Sequence, residues 1–268
     1  MGPLSLTERN AGGATCRWCG RLDAALRCRK CGADSIRAVA LGARRTAEEL
    51  GRAFPGTTVI TSAGDEVRRE IESGPALVVA TPGAEPRAPQ GYGAALLLDG
   101  WSLLGRQDLR AAEDALRRWM AAAAQVHARG DGGVVAVVAE STLPTVQALV
   151  KWDPVGHAES ELDARADVGL PPSVHMAAVD GGSAAVAALI GLAELPEEAT
   201  LMGPVDLPPG VRRPPTTAPD EPAVRMLIRV ARDAGLALSA SLRHATAIAS
   251  ARHDHEAVRV QIDPLHIG

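Results

Sequence analysis

Every cysteine of the chain falls within Cys16-Arg-Trp-Cys19-Gly-Arg-Leu-Asp-Ala-Ala-Leu-Arg-Cys28-Arg-Lys-Cys31-Gly32, two Cys-x-x-Cys-Gly turns separated by eight residues. Each turn can aim two thiolates at one tetrahedral metal, and the glycine that follows can adopt the left-handed backbone that closes it. The sizeable apolar side chains between Ala14 and Gly32 are Trp18, Leu22 and Leu26. Ordering such a segment costs about 1–2 kcal/mol per residue in backbone entropy. Three apolar side chains do not offset that cost, whereas a structural zinc contributes about 10–16 kcal/mol. The competing readings are a disulfide pair, a thioredoxin-like redox motif or free thiols. A redox Cys-x-x-Cys usually occurs once, on a βα junction, so two matched turns favour zinc held by Cys16, Cys19, Cys28 and Cys31. The gap of eight residues is short beside the roughly 15–20 of common four-cysteine ribbons.

The chain of 268 residues has length for one or two domains and an ample core. Aromatic residues make up only 2%, so Ala-rich helices must pack closely on Val- and Leu-rich strands. A net charge of −4 gives no global attraction to nucleic acid. The charge is unevenly spread, because residues 1–31 carry six cations against two anions. Residues 1–15 contain no apolar signal-peptide core, and no later run approaches a membrane span, so the sequence implies a cytoplasmic protein with no membrane contact. In that compartment reduced cysteines favour metal over disulfide.

Beyond the cysteines, short apolar strands are expected at Ile36–Leu41, Thr57–Thr61, Ala76–Ala80, Ala94–Asp99 and Val134–Ala139. Helices are expected between them: one with a capping box at Thr46-Ala-Glu-Glu49 that ends near Phe54-Pro55-Gly56, a charged one over 65–72, the longest over 108–128, and one capped by Ser141 that runs to Lys151. This alternation predicts an α/β domain with a mostly parallel sheet. The Pro- and Gly-rich stretch 81–93 reads as a loop without a phosphate-cradling pattern. A further helix over 157–168 leads to Gly169-Leu-Pro-Pro172, a natural boundary. Past it, strands at 174–179 and 223–230, helices at 183–194 and 236–242, and strands near Ile248 and at 258–262 predict a smaller α+β domain. The connector 207–219 is too proline-rich to pair in a sheet and reads as a mobile surface loop.

Taken in order, the cysteine pairs, Leu41-Gly-Ala-Arg-Arg-Thr-Ala-Glu-Glu-Leu-Gly-Arg-Ala-Phe-Pro55, Ala80-Thr-Pro-Gly83, Leu98-Asp-Gly-Trp101, Gly169-Leu-Pro-Pro172, Leu201-Met-Gly-Pro-Val205 and Ile262-Asp-Pro-Leu265 closely resemble the primosomal protein N′ (PriA) replication-restart family. The resemblance is to the C-terminal part of the divergent form found in high-GC bacteria. It implies zinc-binding knuckles over 1–35, a degenerate RecA-like second helicase lobe over 36–168 and a C-terminal DNA-binding domain over 169–268. It also implies recognition of stalled or abandoned forks, primosome assembly, and partnership with the single-stranded-DNA-binding protein and other primosome proteins. Family members carry four Cys-x-x-Cys pairs around two zinc ions, and this chain contains the later two pairs. Either these regroup around one zinc or the chain is a fragment without its upstream partners.

No Gly-x-x-x-x-Gly-Lys-Ser/Thr loop is present to cradle nucleotide phosphates. The arginine-bearing motif of active second lobes falls on 121–128, where its two arginines are replaced by Gln125 and Ala128. Loss of such an arginine typically costs about 10³–10⁵ in rate. The expected protein is therefore a pseudo-helicase that binds forked DNA and is not an enzyme. Two alternatives remain open: one lobe of an ATP-dependent 3′-5′ helicase that needs a missing N-terminal part, and a zinc-stabilised protein-interaction module. Candidate phosphate contacts are Arg212 and Arg213 on the proline connector, with Arg225 and Arg229 four apart on one strand and so on one face. The competing reading is ordinary solvated surface charge.

Overall fold

Runs such as Ala76-Leu-Val-Val-Ala80 have no polar alternation and can be strands only where a neighbouring strand and helix cover them. In the structure, a computed structural model, such runs are paired. It describes residues 4–5, 14–16, 22–23, 32, 42–98, 100–106, 108–207, 211–214, 222–252 and 258–267. The expected strand 36–41 lies outside them. The chain divides into two units, Met1–His157 and Ala158–Gly268.

The first unit opens with three short strands, β1 (Leu4–Ser5), β2 (Ala14–Cys16) and β3 (Leu22–Asp23), paired antiparallel in that order. Helix α1 (Ala43–Ala53) starts a turn before the expected capping box. Gly42 is its N-cap, and the Thr46 amide already donates to the Gly42 carbonyl at 3.2 Å, so Thr46 sits inside the helix. Phe54-Pro55-Gly56 stops the helix as expected, because Pro55 has no amide to continue it and Gly56 turns to φ +87°.

Strand β4 (Thr58–Ser62) pairs in parallel with β5 (Ala76–Ala80), Thr58 opposite Ala76 through Ser62 opposite Ala80. The helix expected over 65–72 does not form. That segment has no apolar stripe to bury, and Val67 is 55% exposed. Hydrogen bonds hold it in an irregular path instead, with Glu70 bridged to Arg87. The buried Ser62 hydroxyl donates to the Ala84 carbonyl at 2.7 Å and accepts the Arg68 amide at 2.9 Å, tying 65–72 to the Pro- and Gly-rich loop.

Strand β6 (Ala94–Leu97) pairs in parallel with β7 (Val134–Val137). The expected parallel pairing is thus present, but among the described residues it forms two separate two-stranded sheets. Helices α2 (Gly100–Leu104), α3 (Ala111–Ala123) and α4 (Pro144–Lys151) belong to the second pair. Ala115, Leu116 and Trp119 of α3 meet Val146, Ala148 and Leu149 of α4 to form the core of this unit, with Leu97 and Val137 packed beneath. Ser141 does not cap α4. Leu143 is the N-cap and Pro144 takes the first helical position, where its missing amide costs nothing. Helix α5 (Pro154–Asp167) spans the division between the units.

The second unit is an antiparallel sheet in the order β11-β8-β10-β9, built from β8 (Val174–Gly182), β9 (Thr200–Asp206), β10 (Ala223–Ala231) and β11 (Arg259–Ile262). Helices α6 (Ser183–Leu192) and α7 (Gly235–Arg252) lie against one of its faces. Ala177 and Val179 of β8 and Ile228 and Val230 of β10 meet Val186, Leu189, Leu238, Leu242 and Ala245 there. The strand expected near Ile248 is instead the last part of α7. Leu238, Leu242, Ala245 and Ala249 follow one another at helical spacing along the core, which overrides the β preference of a single isoleucine.

Candidate nucleic-acid interface

Side chains of a strand alternate between faces, so with Val224, Met226, Ile228 and Val230 committed to the helical layer, Arg225, Leu227 and Arg229 belong to the opposite face of the sheet. The register places Arg225 of β10 directly across from Asp180 of β8, and Arg259 of β11 across from the same Asp180 on its other side. One carboxylate therefore lies between two guanidinium groups on three adjacent strands.

Arg225 Nε donates to Asp180 Oδ1 at 2.8 Å and its Nη2 to Oδ2 at 3.0 Å, a bidentate pair. Arg259 adds Nη2 to Oδ2 at 2.6 Å and Nε to the same oxygen at 3.2 Å. Asp180 is fully buried, and burial alone would push its carboxyl up. The four hydrogen bonds and two positive charges outweigh burial and hold it below the ordinary carboxylate range. Each guanidinium keeps a third arm for an irregular segment. Arg225 Nη1 donates to the His266 carbonyl at 3.0 Å, and Arg259 Nη1 to the Arg212 carbonyl at 2.7 Å.

The four candidate arginines consequently separate. Arg212 and Arg213 are exposed on the connector, and the Pro214 that follows is buried. Arg225 is 1% exposed with its donors committed to Asp180 and His266, so it is a buried structural cation and its expected contact with phosphate is corrected. Arg229 is half-buried at a groove of about 480 Å³, lined also by Asp167 and Glu198, and its Nη1 reaches the Gly169 carbonyl at 3.4 Å. Two carboxylates beside one guanidinium oppose an anion there. Gly169 has φ +63°, and a Cβ at this position would stand 2.9 Å from Arg229 Nη1, which accounts for the glycine that opens Gly169-Leu-Pro-Pro172.

The motif Ile262-Asp-Pro-Leu265 is likewise an anchor. Asp263 Oδ1 accepts the Met176 amide at 3.1 Å and Oδ2 meets His175 Nδ1 at 2.8 Å, which fastens the tail beside β8 before His266 reaches Arg225. Asp180 and Arg259, which complete this cluster, were the residues whose place in it was least visible in the sequence. The usable signal was a lone aspartate closing the apolar run Met176–Val179, and arginines flanked on both sides by apolar residues, Val224 and Met226 about Arg225 and Val258 and Val260 about Arg259. A charge in either setting needs a buried partner.

Of the four cysteines, Cys16 is the last residue of β2, and β3 begins six residues later at Leu22. Cys19, Cys28 and Cys31 lie outside the described residues. Among the described residues no three His, Cys, Asp or Glu side chains converge as a metal site. A set of four thiolates suits zinc. Gln125 and Ala128 fall in the turn after α3, where the Gln125 carbonyl accepts the Tyr92 amide at 2.9 Å. No described helix is long and apolar enough to cross a membrane.

Residues 166–265 match the family model described as the primosomal protein N C-terminal domain. The probable replication restart protein PriA of Mycobacterium tuberculosis (strain ATCC 25618 / H37Rv) is 66% identical over 274 residues, an alignment covering 100% of this chain and 42% of that protein. The protein of the same name from Mycobacterium leprae (strain TN) is 65% identical over 267 residues, covering 100% of this chain and 41% of its own. The chain therefore spans about two fifths of the length of the curated relatives it matches.

Proposed function

The chain belongs to the primosomal protein N′ (PriA) family, as the C-terminal part of its longer members, and from that premise we propose that it is a DNA-binding component of replication restart that recognises forked DNA without hydrolysing ATP. The observation that carries this reading is 66% identity across the whole chain to a protein named for replication restart. The exposed Arg212 and Arg213, beside a cluster of two arginines on one aspartate with a net charge of +1, supply a surface for the phosphate backbone. Zinc held by Cys16, Cys19, Cys28 and Cys31 orders the N-terminal segment in this proposal, and the single-stranded-DNA-binding protein and other primosome proteins are its partners. Gln125 and Ala128, in place of the two arginines of active lobes, support the absence of ATP turnover. The test is fluorescence anisotropy with forked and linear duplexes at low salt. Tighter binding to the fork is expected, and equal affinity overturns fork recognition.

The shared length of only 42% favours one further reading, in which this chain is one lobe of an ATP-dependent 3′-5′ DNA helicase. That reading requires DNA-stimulated ATP turnover when the remainder of such a protein is supplied. Its absence from the mixture removes the reading.

A further inference from the structure

The Asp180 cluster grips two stretches of chain that are not strands, and one of them carries the two exposed arginines. Arg259 uses Nε and Nη2 on Asp180 and Nη1 on the Arg212 carbonyl. Two residues later the chain is fixed a second time, by the buried Pro214. Arg212 and Arg213, both exposed, thus stand between a clamped carbonyl and a buried ring. Asp180 in turn is held by Arg225, whose bidentate pair does not involve the connector.

From this geometry we infer that Arg259 is a positioning residue for nucleic-acid binding: oriented by Asp180, it clamps the chain at the Arg212 carbonyl so that Arg212 and Arg213 are presented together to the phosphate backbone. The inference rests on the DNA-binding reading above and adds to it the residues that make the contact and the residue that arranges them. Arginine is required at 259 because its planar fork can serve a carboxylate with one edge and a carbonyl with its remaining nitrogen. A lysine ammonium at the same place keeps the charge but loses the fork. Fixing the backbone at Arg212 in advance removes ordering that DNA binding would otherwise have to supply.

The test uses the whole 268-residue chain, a forked duplex and a salt titration. The double variant R212Q/R213Q lowers the slope of log affinity against log salt by about 1.8, the value for two lost phosphate contacts. R259K, with total charge unchanged, weakens binding about 3- to 10-fold. Added to R212Q/R213Q, R259K has no further effect, because the groups it arranges are already gone. Wild-type affinity in R259K, or an equal loss in both backgrounds, overturns the inference. A second readout does not depend on DNA: trypsin cuts between Arg212 and Arg213 faster in R259K than in wild type, while thermal unfolding stays close to wild type because the Arg225–Asp180 pair remains. Unchanged cleavage overturns the clamp itself. Faster cleavage in a protein that ignores DNA keeps the clamp and overturns the DNA-binding reading.

Discussion

Each unit contains one aspartate between two arginines, and the two trios differ in almost everything but composition. In the first unit, Asp114 of α3 accepts Arg106 Nη2 and Arg117 Nη2, each at 3.3 Å, with Arg117 69% exposed. In the second, Asp180 accepts four hydrogen bonds with no exposure of its own. In both, burial pushes the carboxyl up and the arginine hydrogen bonds push it further down, so both lie below the ordinary carboxylate range. What separates them is what happens when a partner is lost. Solvent reaches the Asp114 carboxylate itself, whereas Asp180 has no exposure and depends on its arginines. The same three residue types thus decorate a helix in one place and hold a sheet together in the other.

The contrast predicts the size of each mutational effect. Asp180→Asn leaves two guanidinium groups facing a neutral amide, and breaking a buried pair this way typically costs about 3–5 kcal/mol. Hydrogen exchange of the β8 and β10 amides should report the loss, since these strands form the centre of the four-stranded sheet. A β8–β10 protection pattern unchanged from wild type would show that the cluster is decorative after all.

The same pair sets an acid limit on the second unit. A carboxyl held below its ordinary value binds fewer protons folded than unfolded, so its stabilisation is complete above the unfolded value of about 3.9 and is lost as pH falls through the lower folded value. Denaturant unfolding read through β8 and β10 should therefore weaken below about pH 4. That acid dependence should be smaller in Asp180→Asn, which has no carboxyl to protonate.

Smaller effects come from the first unit. Ser62→Ala removes the hydroxyl that serves both Ala84 and Arg68, leaving buried polar groups without it at a cost of about 1–3 kcal/mol. Loosened exchange should then appear over 65–72 and the loop after β5. Asp114→Asn should cost about 1 kcal/mol, the usual upper end for an ion pair that solvent reaches. A loss as large as that of Asp180→Asn would break the comparison.

How much could be read in advance follows the same division. Apolar runs located β5, β6, β7 and β8 to within a few residues, although Leu96 of β6 and Val134 and Val135 of β7 are exposed among the described residues. The segment 65–72 was misread as helix because its charges are compatible with one, while the hydrogen bonds that hold it in an irregular path reach forward to Arg87, which pairs with Arg69 and Ile71, and to Ala84 through Ser62. Ile248 was misread as strand because intrinsic preference was weighed without the core position of Ala245 and Ala249. Arg225 was misassigned for a related reason. Its spacing from Arg229 correctly placed both on one face, but not which groups covered that face.

Sequence alone determined the local grammar of this protein: where strands and helices could lie, the family it belongs to, and the residue types available for phosphate or metal. The tertiary structure alone decided which arginine is buried and which is exposed. That outcome depends on strand register, because pairing β8 with both β10 and β11 sets one aspartate opposite two arginines separated from it by 45 and 79 positions in the chain.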